Sequence, residues 1–253
     1  MGLGLLSAVS GTVLEIIQSY SDEPKWPVLQ HLLSCQGFVL FPILGVGAFV
    51  LPRFFGMPNP HEFSESRKVS GGWVIKASSA LCVGALIIKS FFLEARGRTR
   101  IGPALRFLAT FAYIARELPI FRAAKARNAF NLVLTIAFVL LLAGFAFIAL
   151  FPAFRISLLH LTLVGGFALI TLAVATRVIF GHSGNLSLLA RPNKWMIVAG
   201  GLMWFAMLTR ISGDFWPKIM MSHYTYGAIV WLLGVLLWSW KVLGKILLRD
   251  PEV

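Results

Sequence analysis

Four of the five histidines in this 253-residue sequence lie next to long apolar segments, an unusual place for a side chain that binds protons and metals. They are His31, His160, His182 and His223, whereas His61 lies in a segment rich in proline and glycine. Imidazole is the commonest protein ligand of metals, and it holds haem iron in many helical proteins. The four positions therefore predict a cofactor site at the ends of membrane helices.

The spacing of His160 and His182 limits what the two side chains can share. They are separated by 22 residues, which is roughly 33 Å along an α-helix but only about 40° around it. They are therefore predicted to lie on one face at opposite membrane surfaces, each able to bind a b-type haem in its own half of the bilayer. Arg177, close to His182, could pair with a haem propionate. The alternative is that the histidines are solvated at the interface and that Arg177 only snorkels.

The number of spans decides how the histidines pair. His160 and His223 begin segments that enter the membrane from the same side, whether the chain has six spans or seven. With six spans His31 shares the cytoplasmic side with His182, whereas with seven it joins the other two.

Sulfur-containing residues suggest a second, softer site. Met220 and Met221 precede His223, and thioether and imidazole ligands together suit Cu(I), so copper is a possible cofactor. Cys35 and Cys82 lie in apolar runs outside any CxxC or CxxCH motif, which predicts neither a disulfide nor covalently attached haem.

Composition places these residues in a membrane protein. Hydrophobic residues make up 58% of the chain, and the mean hydropathy is +0.80, which predicts an all-α, polytopic transmembrane helix bundle. The formal net charge of +13 is spread between apolar runs, a pattern typical of contact with lipid headgroups and not with nucleic acid.

Six apolar segments are long enough to be considered as spans of a single transmembrane domain over residues 1–253. They are 28–51, 73–93, 130–152, 156–180, 195–211 and 224–247, of which the fifth is short. With six spans, fourteen basic residues fall on one side and five on the other. The positive-inside rule then predicts a bacterial inner-membrane protein with both termini in the cytoplasm. No internal repeat stands out.

Two further segments are predicted to lie along the membrane surface. Residues 1–27 are interpreted as an amphipathic N-terminal segment, and residues 94–127 as a cytoplasmic interfacial segment. Within the latter, 101–121 is apolar enough to be a seventh span. One helical stripe there is polar and the opposite one is apolar, which favours an interfacial helix. The polar stripe contains Arg106, Thr110, Tyr113 and Glu117, and the apolar stripe contains Leu105, Leu108, Ala112 and Ala115.

Two stretches resemble the NnrS family of haem- and copper-containing membrane proteins, which are linked to nitric-oxide metabolism and nitrosative stress. They are QGFVLFPILGVGAFVLPRFFG at 36–56 and LHLTLVGGFALITLAVATRVIFGHSG at 159–184. The second is the more specific, with His, Thr, Gly, Thr, Arg, Gly-His and Gly in one span. The resemblance implies that His160, Arg177, His182 and Gln36 belong to the haem or metal site. It covers the carboxy-terminal half of family members that typically have about twice as many spans.

Two classes of function follow. The first is a haem-binding protein of NnrS type that handles nitric oxide or takes part in membrane redox chemistry. The second is a permease-like or structural subunit without its own cofactor; Glu94 and Asp214 lie only at span ends, so the buried acid of many ion-coupled transporters is missing. The half-length chain and the small residues Thr162, Gly166 and Ala173 on one helix face predict a homodimer or a second membrane subunit.

Overall fold

The computed structural model describes residues 2–20, 23–55, 71–118, 120, 128–190 and 193–246, and these ranges are helical with no strand. The first part of the chain contains α1 (Gly2–Gln18), α2 (Lys25–His31), a π-helix termed π1 (Leu32–Gly37), α3 (Phe38–Phe54), α4 (Gly71–Ala95) and α5 (Ile101–Glu117). The remainder contains α6 (Ala129–Leu150), α7 (Arg155–His160), the π-helix π2 (Leu161–Ala168), α8 (Leu169–His182), α9 (Ser187–Ala190), α10 (Lys194–Gly213) and α11 (Met220–Val242).

Six helical segments of the described chain are long and apolar enough to cross a membrane, which confirms the predicted fold class. They are Lys25–Phe54, Val74–Ala95, Ala129–Leu150, Pro152–His182, Lys194–Gly213 and Pro217–Lys245. The fifth has 20 residues and is not too short. The first begins at Lys25, so residues 25–27 belong to a span and not to an N-terminal surface segment.

The chain forms two compact units. The first comprises Met1–Ala123 with Phe145–Pro152, and the second comprises Ala124–Gly144 with Ala153–Val253. Helix α6 therefore contributes residues to both units. Each candidate spanning segment that contains a π-helix belongs to a different unit, Lys25–Phe54 to the first and Pro152–His182 to the second.

Helix α5 has the opposite orientation to the one that an interfacial helix would need. Arg106, Thr110 and Tyr113 on its polar stripe are buried, whereas Leu108 and Phe111 on the other side are exposed. The polar stripe of α5 therefore faces the protein, and the cytoplasmic interfacial placement of residues 94–127 stays a prediction. Helical periodicity shows that the polar residues share one face, but not whether that face is buried or exposed. A buried arginine is tolerated where other side chains pair with its charge, so a polar face can lie inside the protein.

Helix α1 packs against the protein through small residues and a serine. Its buried residues are Gly4, Ser7 and Gly11, while its exposed side includes Leu5, Val9, Val13 and Ile16. Ser7 donates a hydrogen bond of 2.9 Å to the carbonyl of Leu33, which holds α1 against π1. Three small or polar residues of α1 thus face the protein, and the amphipathic interpretation of residues 1–27 stays a prediction.

The two π-helices change the predicted geometry of the histidines. One π-helix begins directly after His31 and the other directly after His160. Bonding from i to i+5 widens each turn, so the 40° angle computed between His160 and His182 for a continuous α-helix is wrong. Three of the four histidines lie inside their spans and not at the ends, since His31, His160 and His223 are all about two turns from the span start. Only His182 lies at a span end.

Small residues let α6 approach π2 closely within the second unit. An added Cβ at Gly144 would lie 2.9 Å from the backbone nitrogen of Thr162, and one at Gly166 would lie 2.9 Å from Cβ of Leu141. Thr162 is fully buried. The small-residue face that sequence analysis left uncovered is therefore covered by the chain's own α6, and it no longer argues for a partner.

This close approach predicts the effect of filling it. Gly144→Val should lower the melting temperature of the detergent-purified protein strongly, because the new side chain meets backbone that cannot move aside. Gly201→Val is the matched control, since nothing lies within 4 Å of a Cβ built there in α10. Equal melting temperatures for the two variants would contradict the packing of α6 on π2.

Candidate functional site

His160, the last residue of α7, is held so that one ring nitrogen remains available. Its Nδ1 lies 3.1 Å from the carbonyl oxygen of Ile156 and 3.2 Å from that of Ser157. Carbonyl oxygens only accept hydrogen bonds, so the neutral ring carries its proton on Nδ1. Nε2 then keeps the lone pair with which imidazole binds a metal or a proton.

His223 in α11 reaches the same tautomer through a hydroxyl group. Its Nδ1 lies 2.9 Å from Oγ of Ser212, and this hydroxyl lies 2.8 Å from the carbonyl of Thr209. Ser212 has one proton, which it donates to the carbonyl, so it must accept from Nδ1–H of His223. The Nε2 atom of His223 therefore also carries a lone pair.

Asp214 gathers polar side chains at this end of the second unit. Ser157 and Tyr224 donate hydrogen bonds to its carboxylate, and Nη1 of Arg210 lies 3.2 Å from Oδ1. The guanidinium of Arg210 also stacks 3.2 Å from the ring centroid of Tyr224. Partial burial would raise the pKa of Asp214, but the three donors outweigh it and hold that pKa below its ordinary value.

The Asp214 cluster links the two histidines. Ser157 lies one turn before His160, and both Arg210 and Asp214 act electrostatically on the His160 ring. On the other side, a Cβ at Gly213 would lie 3.2 Å from Cβ of His223. The second unit thus brings His160 and His223 to one polar centre, which we call the Asp214 centre: Ser157, His160, Arg210, Ser212, Asp214, His223 and Tyr224.

The lowered pKa predicts how Asp214 contributes to stability as pH changes. Because the folded state binds the proton of Asp214 more weakly than the unfolded chain does, the ionised carboxylate stabilises the fold. This stabilisation is complete above the ordinary pKa of 3.8, and it is lost as the pH falls through the lower pKa of the folded state. Asp214→Asn should lower the melting temperature by a similar amount at every value from roughly pH 5 to 8. Below about pH 4 the difference from wild type should shrink. A difference that grows on acidification would contradict the assignment.

The other predicted ligands lie elsewhere. His182 ends α8 and is exposed, and Arg177 is half-buried on the same helix. His31 is half-buried at the end of α2 in the first unit. That unit also contains an apolar groove of about 440 Å³ beside α1, but none of the predicted ligands lines it.

Gln36 belongs to a different polar centre in the first unit. It is fully buried in π1 and accepts a hydrogen bond from Arg106, whose guanidinium also pairs with Glu94. Nε of Arg106 donates a 3.3 Å hydrogen bond to Oγ of Ser90. The rings of Phe91 and Phe145 lie 4.8 and 5.3 Å from the guanidinium carbon, so the cation is enclosed completely.

Comparison with known proteins finds one family for nearly the whole chain. Residues 1–250 match the family model described as NnrS protein. The chain belongs to the NnrS family. No curated protein and no solved structure matches it. Membership of the NnrS family confirms the resemblance found in the two sequence stretches, and it supports an integral membrane protein of this type.

The side chains that could bind a cofactor in this NnrS protein suit a haem better than a metal ion held by the protein alone. Among the described residues no group of three or more His, Cys, Asp or Glu side chains is placed to hold a metal ion. A haem needs only one or two axial ligands from the protein, because its porphyrin supplies the other four. His160 and His223, each with Nδ1–H donated to the protein, fit that requirement. Met221, in contrast, is 70% exposed beside His223, and copper binding remains a prediction.

Sequence analysis missed the residues that position these histidines. Packing of α10 on α11 brings Ser212 to His223, and packing of α10 on α7 brings Asp214 to Ser157 beside His160, so the contacts depend on tertiary structure. One signal was present: Arg210 and Asp214 have the i, i+4 spacing of a helical ion pair at the end of a span.

Proposed function

We propose that this NnrS-family protein binds b-type haem through His160 and His223 and takes part in membrane redox chemistry linked to nitric oxide. The single observation that carries the proposal is the matching contact of the two rings: Nδ1 of His160 lies 3.1 Å from the carbonyl oxygen of Ile156, and Nδ1 of His223 lies 2.9 Å from Oγ of Ser212, which leaves Nε2 of each ring for an iron. Metal-bound histidines usually have this second hydrogen bond, which fixes the orientation of the ring. The family match supports the link to nitric oxide.

Haem would supply a one-electron couple and an iron at which small gases bind. The residues of the Asp214 centre perform the remaining tasks. The carbonyls of Ile156 and Ser157 orient His160, while Ser212 orients His223. Arg210 places a positive charge beside these rings, partly balanced by Asp214. A cation near the site favours an extra electron or an anionic propionate.

A second cofactor site is part of the same proposal. His182, with Arg177 beside it on α8, would serve it on the cytoplasmic side, in an inner-membrane protein whose termini both face the cytoplasm. A homodimer or another membrane subunit remains the predicted partner. The family resemblance supports the second site, and the distribution of basic residues supports the orientation of the termini.

The experiment is an optical spectrum of the protein purified in mild detergent, with acid extraction of the cofactor. We expect a sharp reduced haem spectrum, extractable haem because no CxxCH motif is present, and a spectral change when nitric oxide is added to the reduced protein. A colourless preparation from haem-supplemented cells, folded by circular dichroism, would show that the proposal is wrong.

A further inference from the structure

The two π-helices occur at the same point of a shared sequence pattern. His31–Phe38 reads HLLSCQGF and His160–Phe167 reads HLTLVGGF, with His-Leu at the start and Gly-Phe at the end of both. In each case the π-helix begins at the leucine that follows the histidine. π-Helices are rare in proteins, so two at matching positions are a specific similarity. They divide between the two compact units.

The helices that follow carry a second matching pattern. Residues 73–90 read WVIKASSALCVGALIIKS and residues 195–212 read WMIVAGGLMWFAMLTRIS, with Trp, Ile, Ala, Leu and Ser in register. The serines that end this alignment make equivalent contacts. Ser90 donates a hydrogen bond of 2.6 Å to the carbonyl of Ile87, three residues before it. Ser212 donates one of 2.8 Å to the carbonyl of Thr209, again three residues before it.

The partners of these serines come from equivalent helices. Because Ser90 donates its own proton to the backbone, it accepts a hydrogen bond from Arg106 in α5. In the same way Ser212 accepts a hydrogen bond from His223 in α11. A carboxylate follows each serine within one turn and joins the same cluster, Glu94 in the first unit and Asp214 in the second. Helix α5 packs on α4 as α11 packs on α10.

The helices that precede the π-helices also correspond. Gly11 in α1 brings its backbone against π1, since an added Cβ would lie 3.2 Å from the nitrogen of Ser34. Gly144 in α6 does the same at π2, at 2.9 Å from the nitrogen of Thr162. Each unit therefore has the order helix, π-containing helix, helix, helix.

We infer that the chain is a tandem duplication of one four-helix unit, in which Arg106 and His223 occupy equivalent positions and α5 crosses the membrane as α11 does. The duplication explains why each unit contains a polar centre built from a serine, a carboxylate and a side chain of the following helix. In the first centre, the permanent cation of Arg106 lies between the carboxylate of Glu94 and two aromatic rings. In the second, an imidazole at the same place can bind a cofactor or a proton.

Crossing by α5 is physically reasonable for the residues that it contains. Its 17 residues extend about 25 Å, near the lower limit for a span. Ile101, Leu108 and Phe111 are the exposed side chains that would meet lipid. The charge of Arg106 is paired with Glu94 inside the protein, which removes the main cost of burying it. This placement differs from the cytoplasmic interfacial one that sequence analysis favoured.

The test is the sidedness of labelling at the two ends of α5. Single cysteines are placed at Arg98 and Arg116 in a Cys35→Ser, Cys82→Ser background and labelled with a membrane-impermeant maleimide in intact spheroplasts and in inverted vesicles. We expect Arg98→Cys and Arg116→Cys to label from opposite sides. Labelling of both from the same side would overturn the inference.

A matched pair around α11 validates the assay. Trp216 and Ile246 are exposed at the two ends of the span that contains α11, and cysteines there should label from opposite sides. The readout does not depend on haem, so its outcome is independent of the proposed function. Failure of the haem experiment would leave the labelling result intact, and the reverse also holds.

Discussion

Replacing Arg106 with alanine is expected to remove most of the folded protein. The guanidinium is fully buried, and it pairs with Glu94, whose side chain is only 2% exposed. Without the cation, a carboxylate would remain buried beside Gln36 and two aromatic rings. Breaking a buried ion pair by removing one partner typically costs about 3–5 kcal/mol, a large fraction of the stability of a domain. Monodisperse yield on size-exclusion chromatography and the melting temperature measure the loss.

Two controls separate this ion pair from ordinary surface charge. Arg116→Ala removes a cation that is 60% exposed on the same helix and should change the melting temperature little. Arg106→Leu combined with Glu94→Leu removes both charges and should recover much of the yield, because the uncompensated charge is gone. If Arg106→Ala behaved like Arg116→Ala, the buried pair would not be what holds α5 against α4.

The sequence revealed the membrane class and the approximate spans because hydropathy is a local property. It also revealed a polar stripe on α5, since Arg106, Thr110 and Tyr113 recur at helical spacing. It could not reveal which way that stripe faces. The answer depends on Glu94 and Gln36, which lie 12 and 70 residues away from Arg106 along the chain. Long-range pairing of charges, and not periodicity, decides the orientation of this helix.

The candidate site shows the same division between local and distant information. Sequence analysis predicted His160 and His223 as ligands on the same side of the membrane. It assumed continuous α-helix after His160, and the π-helix there could not be recognised from composition. The tautomers of both rings depend on backbone carbonyls and on Ser212, which only the packed structure brings within hydrogen-bond distance.

Removing either proposed ligand is expected to abolish most haem binding. His160→Ala and His223→Ala each remove one Nε2 lone pair from the Asp214 centre, whose tyrosine, Tyr224, already donates its hydroxyl proton to Asp214. The haem-to-protein ratio, measured by extraction and by absorbance, should fall severalfold in both variants. Circular dichroism and elution volume show whether each variant remains folded.

Ser212→Ala tests the supporting hydrogen bond separately. It keeps His223 but removes the acceptor of its Nδ1–H, so haem should still bind with roughly tenfold lower affinity, the loss typical when such a partner is removed. His61→Ala is the control for loss of a histidine, because His61 is the one histidine that is not a predicted ligand. Equal haem content in wild type, His160→Ala and His223→Ala would contradict the assignment.

The ligands of the iron test the central claim most directly, and low-temperature electron paramagnetic resonance of the oxidised protein identifies them. If His160 and His223 ligate one iron, wild type should give the low-spin signal of two imidazoles, and His223→Ala should convert it to a high-spin signal with one imidazole. The same conversion is expected for any fraction of His160→Ala that retains haem. A low-spin bis-imidazole signal that persists in both variants would place the haem on other histidines and contradict the proposed site.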